Sequence, residues 1–225
     1  MILVIDAITD PADLAAIDER IALLHWRDGR ETAGAVAREV KRNEQAVMDG
    51  TPGRALQDEV TARLAAHPVI RAAAWPRRFS PLLISKTGAG DHYGRHVDNP
   101  LMGQGPARVR TDISFTLFLT PPGDYEGGEL VIHTAGLTQE VKGEEGHLVL
   151  YPSGAIHEVR PVTRGTRIVC VGWIESLIPD PARRETLFDL ENLRASLRQQ
   201  YASQSAEMLT LDKTIGNLLR MWARP

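Results

Sequence analysis

Hydrophobic and polar positions divide the chain into three textures. In the first third, apolar residues recur at helical spacing. Leu14, Ile17, Ile21 and Leu24 step by three and four, and Leu56, Val60 and Leu64 step by four. Asp10-Pro11 reads as a helix cap followed by proline at the first helical position, and Pro68 ends the second helix, predicted over Thr51–Ala66. The intervening stretch, Gly29–Gly50, is polar and mixed and reads as strand or loop. From Phe79 the apolar runs shorten and Gly, Pro, Asn and Asp separate them. They predict strands over Pro81–Lys86, Tyr93–Val97, Thr111–Thr120, Glu129–Thr134, Thr138–Val141, His147–Tyr151, Ile156–Arg160 and Thr166–Ser176. Short strands at this spacing, without helical crossovers, indicate a β-sandwich or barrel. After Pro179-Asp180-Pro181 the helical period returns, with Leu187, Leu190, Leu193 and Leu197 on one stripe. Met208, Leu211, Ile215, Leu218, Leu219 and Trp222 form another. These stripes pack on the sheet, on each other or, in a homodimer, on a second copy. The pattern divides the chain into residues 1–178, with a β-core at 79–178, and a two-helix extension at 179–225.

Composition narrows the class. With 225 residues, 43% hydrophobic and 24% charged, the chain is an ordinary globular protein able to bury its own core. Its single cysteine, Cys170, excludes a disulfide scaffold. The apolar runs are strand-sized, too short to cross a membrane, and Met1–Asp10 lacks the basic start and apolar block of a signal peptide. A net charge of -3 without a dense Lys/Arg run argues against nucleic acid as partner. A cytoplasmic protein in a reducing compartment is expected, with no membrane partner.

The candidate chemistry begins in Asp91–Pro100 (DHYGRHVDNP), where His96 and Asp98 stand two apart. On an extended strand such residues share a face and can converge on one ion. Alone, this pair means little. His157 lies in a later predicted strand, and Arg167 follows it by ten residues across Pro161–Gly165, a stretch that reads as a hairpin turn setting the two near-opposite. Two imidazoles and one carboxylate make the facial triad of non-haem ferrous oxygenases, which leaves coordination positions for a chelating 2-oxo acid and for O2. The far carboxylate of such an acid needs a cation, and the planar fork of Arg167 suits it.

The stretches His92–Asn99 (HYGRHVDN), Thr116–Leu119, Asp124–Leu130, Leu148–Pro152, His157–Val159 and Thr163–Arg167 resemble the iron(II)- and 2-oxoglutarate-dependent prolyl/lysyl hydroxylase-domain proteins. The likeness is to the bacterial PKHD-type hydroxylases linked to iron uptake. It implies a mainly β fold with flanking helices, a double-stranded β-helix (jelly roll) with N-terminal buttressing helices and a C-terminal helical tail. It further implies iron held by His96, Asp98 and His157, 2-oxoglutarate bound by Arg167, and L-ascorbate to keep the iron reduced. The activity implied is hydroxylation of an unactivated C–H bond, prolyl/lysyl-type or in a small molecule, coupled to conversion of 2-oxoglutarate to succinate and CO2. Related eukaryotic enzymes use a tyrosine beside the arginine. The matching strand of this chain presents Phe118 instead, with Ser114 and Thr116 on the same face, so Ser114, Thr116 or Tyr93 is expected to assist Arg167.

Other residues read more plainly. His92, His133 and His147 lack ligand spacing and read as ordinary histidines, while His25 and His67 sit near helix ends. Cys170, mid-strand, reads as a buried inert thiol. Glu126–Glu129 reads as a hairpin turn, and Asn99–Pro106 as a glycine-rich loop suited to a lid. Two other functions compete. A cupin-like enzyme would want a His-x-His pair with a Glu, and would leave Arg167 without a purpose. An iron- or 2-oxoglutarate-binding sensor or interaction protein would bind without turnover, using the tail for contacts.

Overall fold

The computed structural model describes residues 1–224 apart from Ala33, Gln104, Pro106 and Ala107; for Ala35 and Val36 it describes the backbone only. The chain opens with β1 (Leu3–Asp6), α1 (Pro11–Ala22), β2 (Trp26–Asp28), α2 (Ala35–Glu39), β3 (Lys41–Arg42) and β4 (Glu44–Ala46). Two buttressing helices follow, α3 (Thr51–Ala66) and α4 (Pro68–Ala74). The barrel strands begin with β5 (Pro76–Phe79), β6 (Leu83–Thr87) and β7 (His92–His96), then β8 (Leu101–Met102), β9 (Val109–Arg110) and β10 (Ile113–Phe118). They continue as β11 (Tyr125–Gly127), β12 (Leu130–Thr134), β13 (Leu137–Val141), β14 (His147–Pro152), β15 (Ile156–Val159), β16 (Val162–Gly165) and β17 (Arg167–Ser176). The tail is α5 (Pro181–Leu197) and α6 (Ala206–Trp222).

Two antiparallel sheets face each other. The wide one runs β1-β14-β10-β17-β6-β4-β2, with β5 also pairing β17, and the narrow one runs β13-β12-β15-β7-β3. This is the expected jelly roll. Strand β10 shows why its sequence is apolar without a break, since all its residues are buried. Phe115 and Leu117 turn outward to a core shared with Ile17, Ile21, Leu56, Val60, Leu64 and Ile70 of the helices. Phe118 turns inward to Leu130, Ile132, Val149, Tyr151 and Val169, the plug between the sheets. Each such side chain contributes roughly 1.5–3 kcal/mol by leaving water. The plug fills one end of the roll, and polar side chains line the other.

All the predicted strands form, with ends moved by a few residues. The differences lie in the connections. Pro161–Gly165 is no simple hairpin between the strands carrying His157 and Arg167. Val162–Gly165 is a strand of its own that pairs β11, so β15 and β17 lie in opposite sheets. The two side chains approach across the interior of the roll rather than along a ladder. For the same reason Glu126–Glu129 is not a hairpin turn. Tyr125–Gly127 pairs β16, and the positive φ of Gly127 and Gly128 carries the chain onward into β12. Gly29–Gly50 contains a helix, α2, as well as strands. Within Asn99–Pro106, Leu101–Met102 pairs Val109–Arg110, and Gln104 and Pro106 lie outside the described residues. In the tail, Leu187 and Ile215 bury against Ile178 and Trp75, and Met208 is buried as well, whereas Leu193 is exposed. Asp180 and Ser205 cap the two tail helices through backbone N–H groups of Arg183 and Met208. No helix among the described residues is long and apolar enough to cross a membrane.

The N-terminal strand is fastened by Gly146. Its N–H donates to the Phe118 carbonyl (2.8 Å), and its own carbonyl accepts from Ala7 and Ile8 (3.1 Å each). Its φ is +82°, and a Cβ there would stand 1.9 Å from the Ile8 carbonyl oxygen. Gly146→Ala should therefore destabilise the protein by about 2–4 kcal/mol in denaturant unfolding. A loss under about 0.5 kcal/mol would contradict this packing.

Candidate active site

His96 ends β7 and His157 sits on β15, and the two are direct cross-strand partners on one face of the narrow sheet. Their rings lie 4.2 Å apart between centroids. Each ring is aimed by its own backbone. His96 Nδ1 is 2.8 Å from the Gly94 carbonyl and His157 Nδ1 is 3.0 Å from the Ala155 carbonyl. A carbonyl only accepts, so the proton belongs on Nδ1 and the Nε2 lone pair of each ring points inward. Asp98 enters from the loop after β7. Its Oδ1 lies 4.0 Å from His96 Nε2 and its Oδ2 3.7 Å from His157 Nε2. One ligand atom from each of the three residues falls within 4.8 Å of the others, a set able to hold one metal ion. Borderline nitrogen and hard carboxylate donors suit Fe(II).

A further layer fixes these groups. Ser114 donates to Asp98 Oδ2 (2.5 Å) and lies 2.8 Å from Ser153 Oγ; having one proton, it gives that to the carboxylate and accepts from Ser153. Tyr93 stacks on His96, with centroids 3.7 Å apart and planes 15° from parallel, while Tyr151 meets His157 edge-on at 5.0 Å. Burial, with the neighbouring His157 imidazole, pulls the His96 pKa down to about 4; the Gly94 carbonyl and Asp98 oppose this only in part. His96 is therefore neutral and ready to ligate at neutral pH. Burial raises the pKa of Tyr93 and Tyr151, with Asp98 adding to both, so these phenols stay protonated.

Arg167 opens β17 at 2% exposure. Its Nε and Nη2 atoms are buried without a hydrogen-bond partner among the described residues. The Phe118 ring lies 5.4 Å from its central carbon. Tyr125 and Tyr151 stand close enough to favour the charged guanidinium, yet the Tyr125 hydroxyl itself completes no hydrogen bond of good geometry. A guanidinium fork in a closed space, with two donor atoms unused, fits a carboxylate from a bound co-substrate. His96, Asp98, His157 and Arg167 all line one cavity.

Of the residues expected to assist Arg167, Ser114 is turned to Asp98 and Tyr93 to His96. Thr116 lies near Tyr151, and both line the cavity with Arg167. The remaining histidines stand elsewhere. His133 contacts Thr138 and Glu158, and His147 pairs with Asp6. Cys170 is buried and its thiol is pushed up to about 12, an inert group. Lys41, Asn43 and Gln45 also line the cavity, and no motif in the sequence singles them out. Their one signal is an alternation at two-residue steps, in which three polar side chains turned inward alternate with the exposed Arg42 and Glu44.

Two outcomes follow from this geometry. Ser114→Ala should weaken metal binding about 10–100-fold by freeing the Asp98 carboxylate, measured by competition with a chelator; unchanged affinity would contradict the assignment. In chelator-treated protein the unfolded chain takes up a proton at His96 near the ordinary pKa of 6.5, whereas the folded chain resists until about 4. Stability should thus fall as pH drops through that window, and His96→Gln should flatten the fall. Superimposable pH curves for the two proteins would refute it.

Residues 82–175 match the model of the 2OG-Fe(II) oxygenase superfamily, and residues 181–224 that of the PKHD-type hydroxylase C-terminal domain. A PKHD-type hydroxylase of Hyphomonas neptunium is 49% identical over 221 residues, covering 98% of this chain and 99% of that protein. One from Synechococcus elongatus is 46% identical over 223 residues, covering 99% and 100%. Among solved structures, a 2OG-Fe(II) oxygenase-family oxidoreductase from Burkholderia pseudomallei superposes with a TM-score of 0.57 at 19% identity, over 77% of this chain and 85% of that one. A Pseudomonas putida prolyl-4-hydroxylase gives 0.51 at 21% identity, over 78% and 92%. The structural likeness speaks for the double-stranded β-helix fold alone, while the full-length identity speaks for the family. The chain belongs to the PKHD-type hydroxylases, and is an iron(II)- and 2-oxoglutarate-dependent dioxygenase.

Proposed function

We propose that this enzyme hydroxylates an unactivated C–H bond of a prolyl/lysyl-type or small-molecule substrate, with His96, Asp98 and His157 holding the iron and Arg167 holding the distal carboxylate of 2-oxoglutarate. The observation that carries the reading is the shared cavity, in which inward-facing Nε2 atoms and a carboxylate stand opposite a buried guanidinium with spare donors. Ferrous iron with 2-oxoglutarate and O2 supplies an oxidant strong enough for such a bond, and succinate and CO2 are the co-products. The protein's part is positioning. The Gly94 and Ala155 carbonyls hold both imidazoles in the ligating tautomer, and Ser114 keeps the Asp98 carboxylate turned to the same point. Arg167 sets the co-substrate's orientation through a two-pronged contact, and Phe118 beneath it keeps water from the charge. Thr116 and Tyr151 border the same carboxylate site, and Tyr93 shields the His96 ring.

The remaining parts of the reading are an accessory role for L-ascorbate in keeping the iron reduced, a cytoplasmic location and a division at residue 178 between the oxygenase unit and a helical extension. A homodimer through the tail helices belongs to it too, supported by the exposed Leu193, Leu209 and Met221.

Purified protein given iron, ascorbate and 2-oxoglutarate should release succinate, and His96→Ala/Asp98→Ala should release none above background. Full release by the double variant would overturn the ligand assignment. Stoichiometric binding of iron and 2-oxoglutarate without succinate from the unaltered protein would favour a sensor. Arg167→Ala should weaken 2-oxoglutarate binding about 30-fold or more while leaving iron affinity nearly unchanged; parallel loss of both would contradict its role as the co-substrate's anchor.

A further inference from the structure

The cavity holds a second buried cation. Lys41, on β3, is 5% exposed and lies across the ladder from Tyr93. Its Nζ donates to Thr32 Oγ1 at 3.2 Å and stands 5.0 Å from the centre of the Tyr93 ring. Both residues line the same cavity as the His96–Asp98–His157 cluster. No carboxylate among the described residues forms an ion pair with Lys41; Asp98 and Asp28 attract it only from a distance. Burial pulls its pKa down to about 8, which still leaves it protonated at neutral pH.

A buried ammonium is ordinarily paired, because its lost hydration has to be replaced. The family chemistry already uses the charges around it. A ferrous ion, the Asp98 carboxylate, the two carboxylates of 2-oxoglutarate and the Arg167 guanidinium cancel among themselves. The charge on Lys41 is the one left over. The wall beside Lys41 is polar and incompletely bonded as well. Asn43 Oδ1 is buried without a partner while its Nδ2 donates to Ser85 (2.6 Å), and Gln45 Oε1 is occupied by the Thr32 hydroxyl. With Oε1 engaged, the Gln45 amide N–H groups are the donors that remain on that side chain.

Building on the hydroxylase reading, we propose that Lys41, with Gln45 beside it, forms a subsite for an anionic group of the primary substrate, so that the enzyme selects substrates bearing a free carboxylate. The subsite is separate from Arg167. Lys41 projects from the edge strand of the narrow sheet, next to β7, whereas Arg167 projects from β17 in the middle of the wide sheet. A substrate carboxylate on Lys41 would thus be held on the Tyr93 side of the metal-binding cluster, apart from the co-substrate's distal carboxylate.

The test uses full-length protein loaded with Mn(II), which does not turn over, and saturated with 2-oxoglutarate. N-acetylglycine and its uncharged amide, N-acetylglycinamide, serve as probes at tens of millimolar, with the thermal unfolding midpoint as readout. The acid should raise the midpoint by about 2–4 °C and the amide by much less. Lys41→Met should abolish the response to the acid while retaining the stabilisation by 2-oxoglutarate. Equal responses to acid and amide, no response in the unaltered protein, or an undiminished response in Lys41→Met would each overturn the subsite. Loss of 2-oxoglutarate stabilisation in Lys41→Met would overturn it too, by assigning Lys41 to the co-substrate. Failure of 2-oxoglutarate to stabilise the unaltered Mn(II) protein would strike the hydroxylase reading itself, and so is distinguishable from failure of the subsite.

Discussion

A guanidinium enclosed between two β-sheets, with no ion pair to a carboxylate among the described residues, is the constraint around which the active site is arranged. Moving such a charge out of water costs several kcal/mol, and removing its partner leaves that cost uncompensated. Arg167 meets it only in part from the protein, through the Phe118 face and two phenols. The remaining donors need a ligand. The roll must then supply two things, a dry wall that keeps the charge strong and an opening through which a dicarboxylate can reach it. The plug of Leu130, Ile132, Val149 and Val169 provides the wall, and the polar end of the cavity provides the opening. Helices α1, α3 and α4 stiffen the outer face of the sheet that carries Arg167, so its position is backed by the largest core in the molecule.

The His96–Asp98–His157 cluster faces Arg167 from the other sheet, and in the proposed reading that opposition would give the co-substrate its two-ended fit. Each imidazole takes its hydrogen-bonded orientation from the backbone, with a tyrosine ring packed against it. Each Nδ1 is bonded to the carbonyl two residues earlier, Gly94 within β7 and Ala155 in the bend just before β15, so backbone geometry sets ring geometry. Asp98 comes from a loop, and it is the ligand that requires outside help, from Ser114 and Ser153 across the roll. A substitution in β10 can thereby disturb a ligand in the loop after β7.

Much of this is legible in sequence, and the gaps have physical reasons. Alternation and turn residues locate the barrel strands because each buries side chains on the face its register dictates. The His96–Asp98 pair announces itself through the two-residue period of a strand, and Arg167 through its chemistry. Topology is less visible. Whether the chain turns back at Pro161–Gly165 or pairs with Tyr125–Gly127 depends on a non-local ladder that no local pattern encodes. Ser114 is legible as an inward-facing residue, but its partner is not, since Asp98 is distant in sequence. Lys41 stays hidden because a strand of two residues carries almost no periodicity, and because a lysine in a polar stretch reads as solvated.

The most direct measurement is an anaerobic titration of the iron-loaded protein with 2-oxoglutarate, followed by visible absorption. A co-substrate chelating ferrous iron produces a metal-to-ligand charge-transfer band. With the ligands assigned as above, this band should appear and saturate at one equivalent of 2-oxoglutarate per chain, and Asp98→Ala should abolish it. Iron and 2-oxoglutarate binding without the band, or an undiminished band in Asp98→Ala, would contradict that assignment.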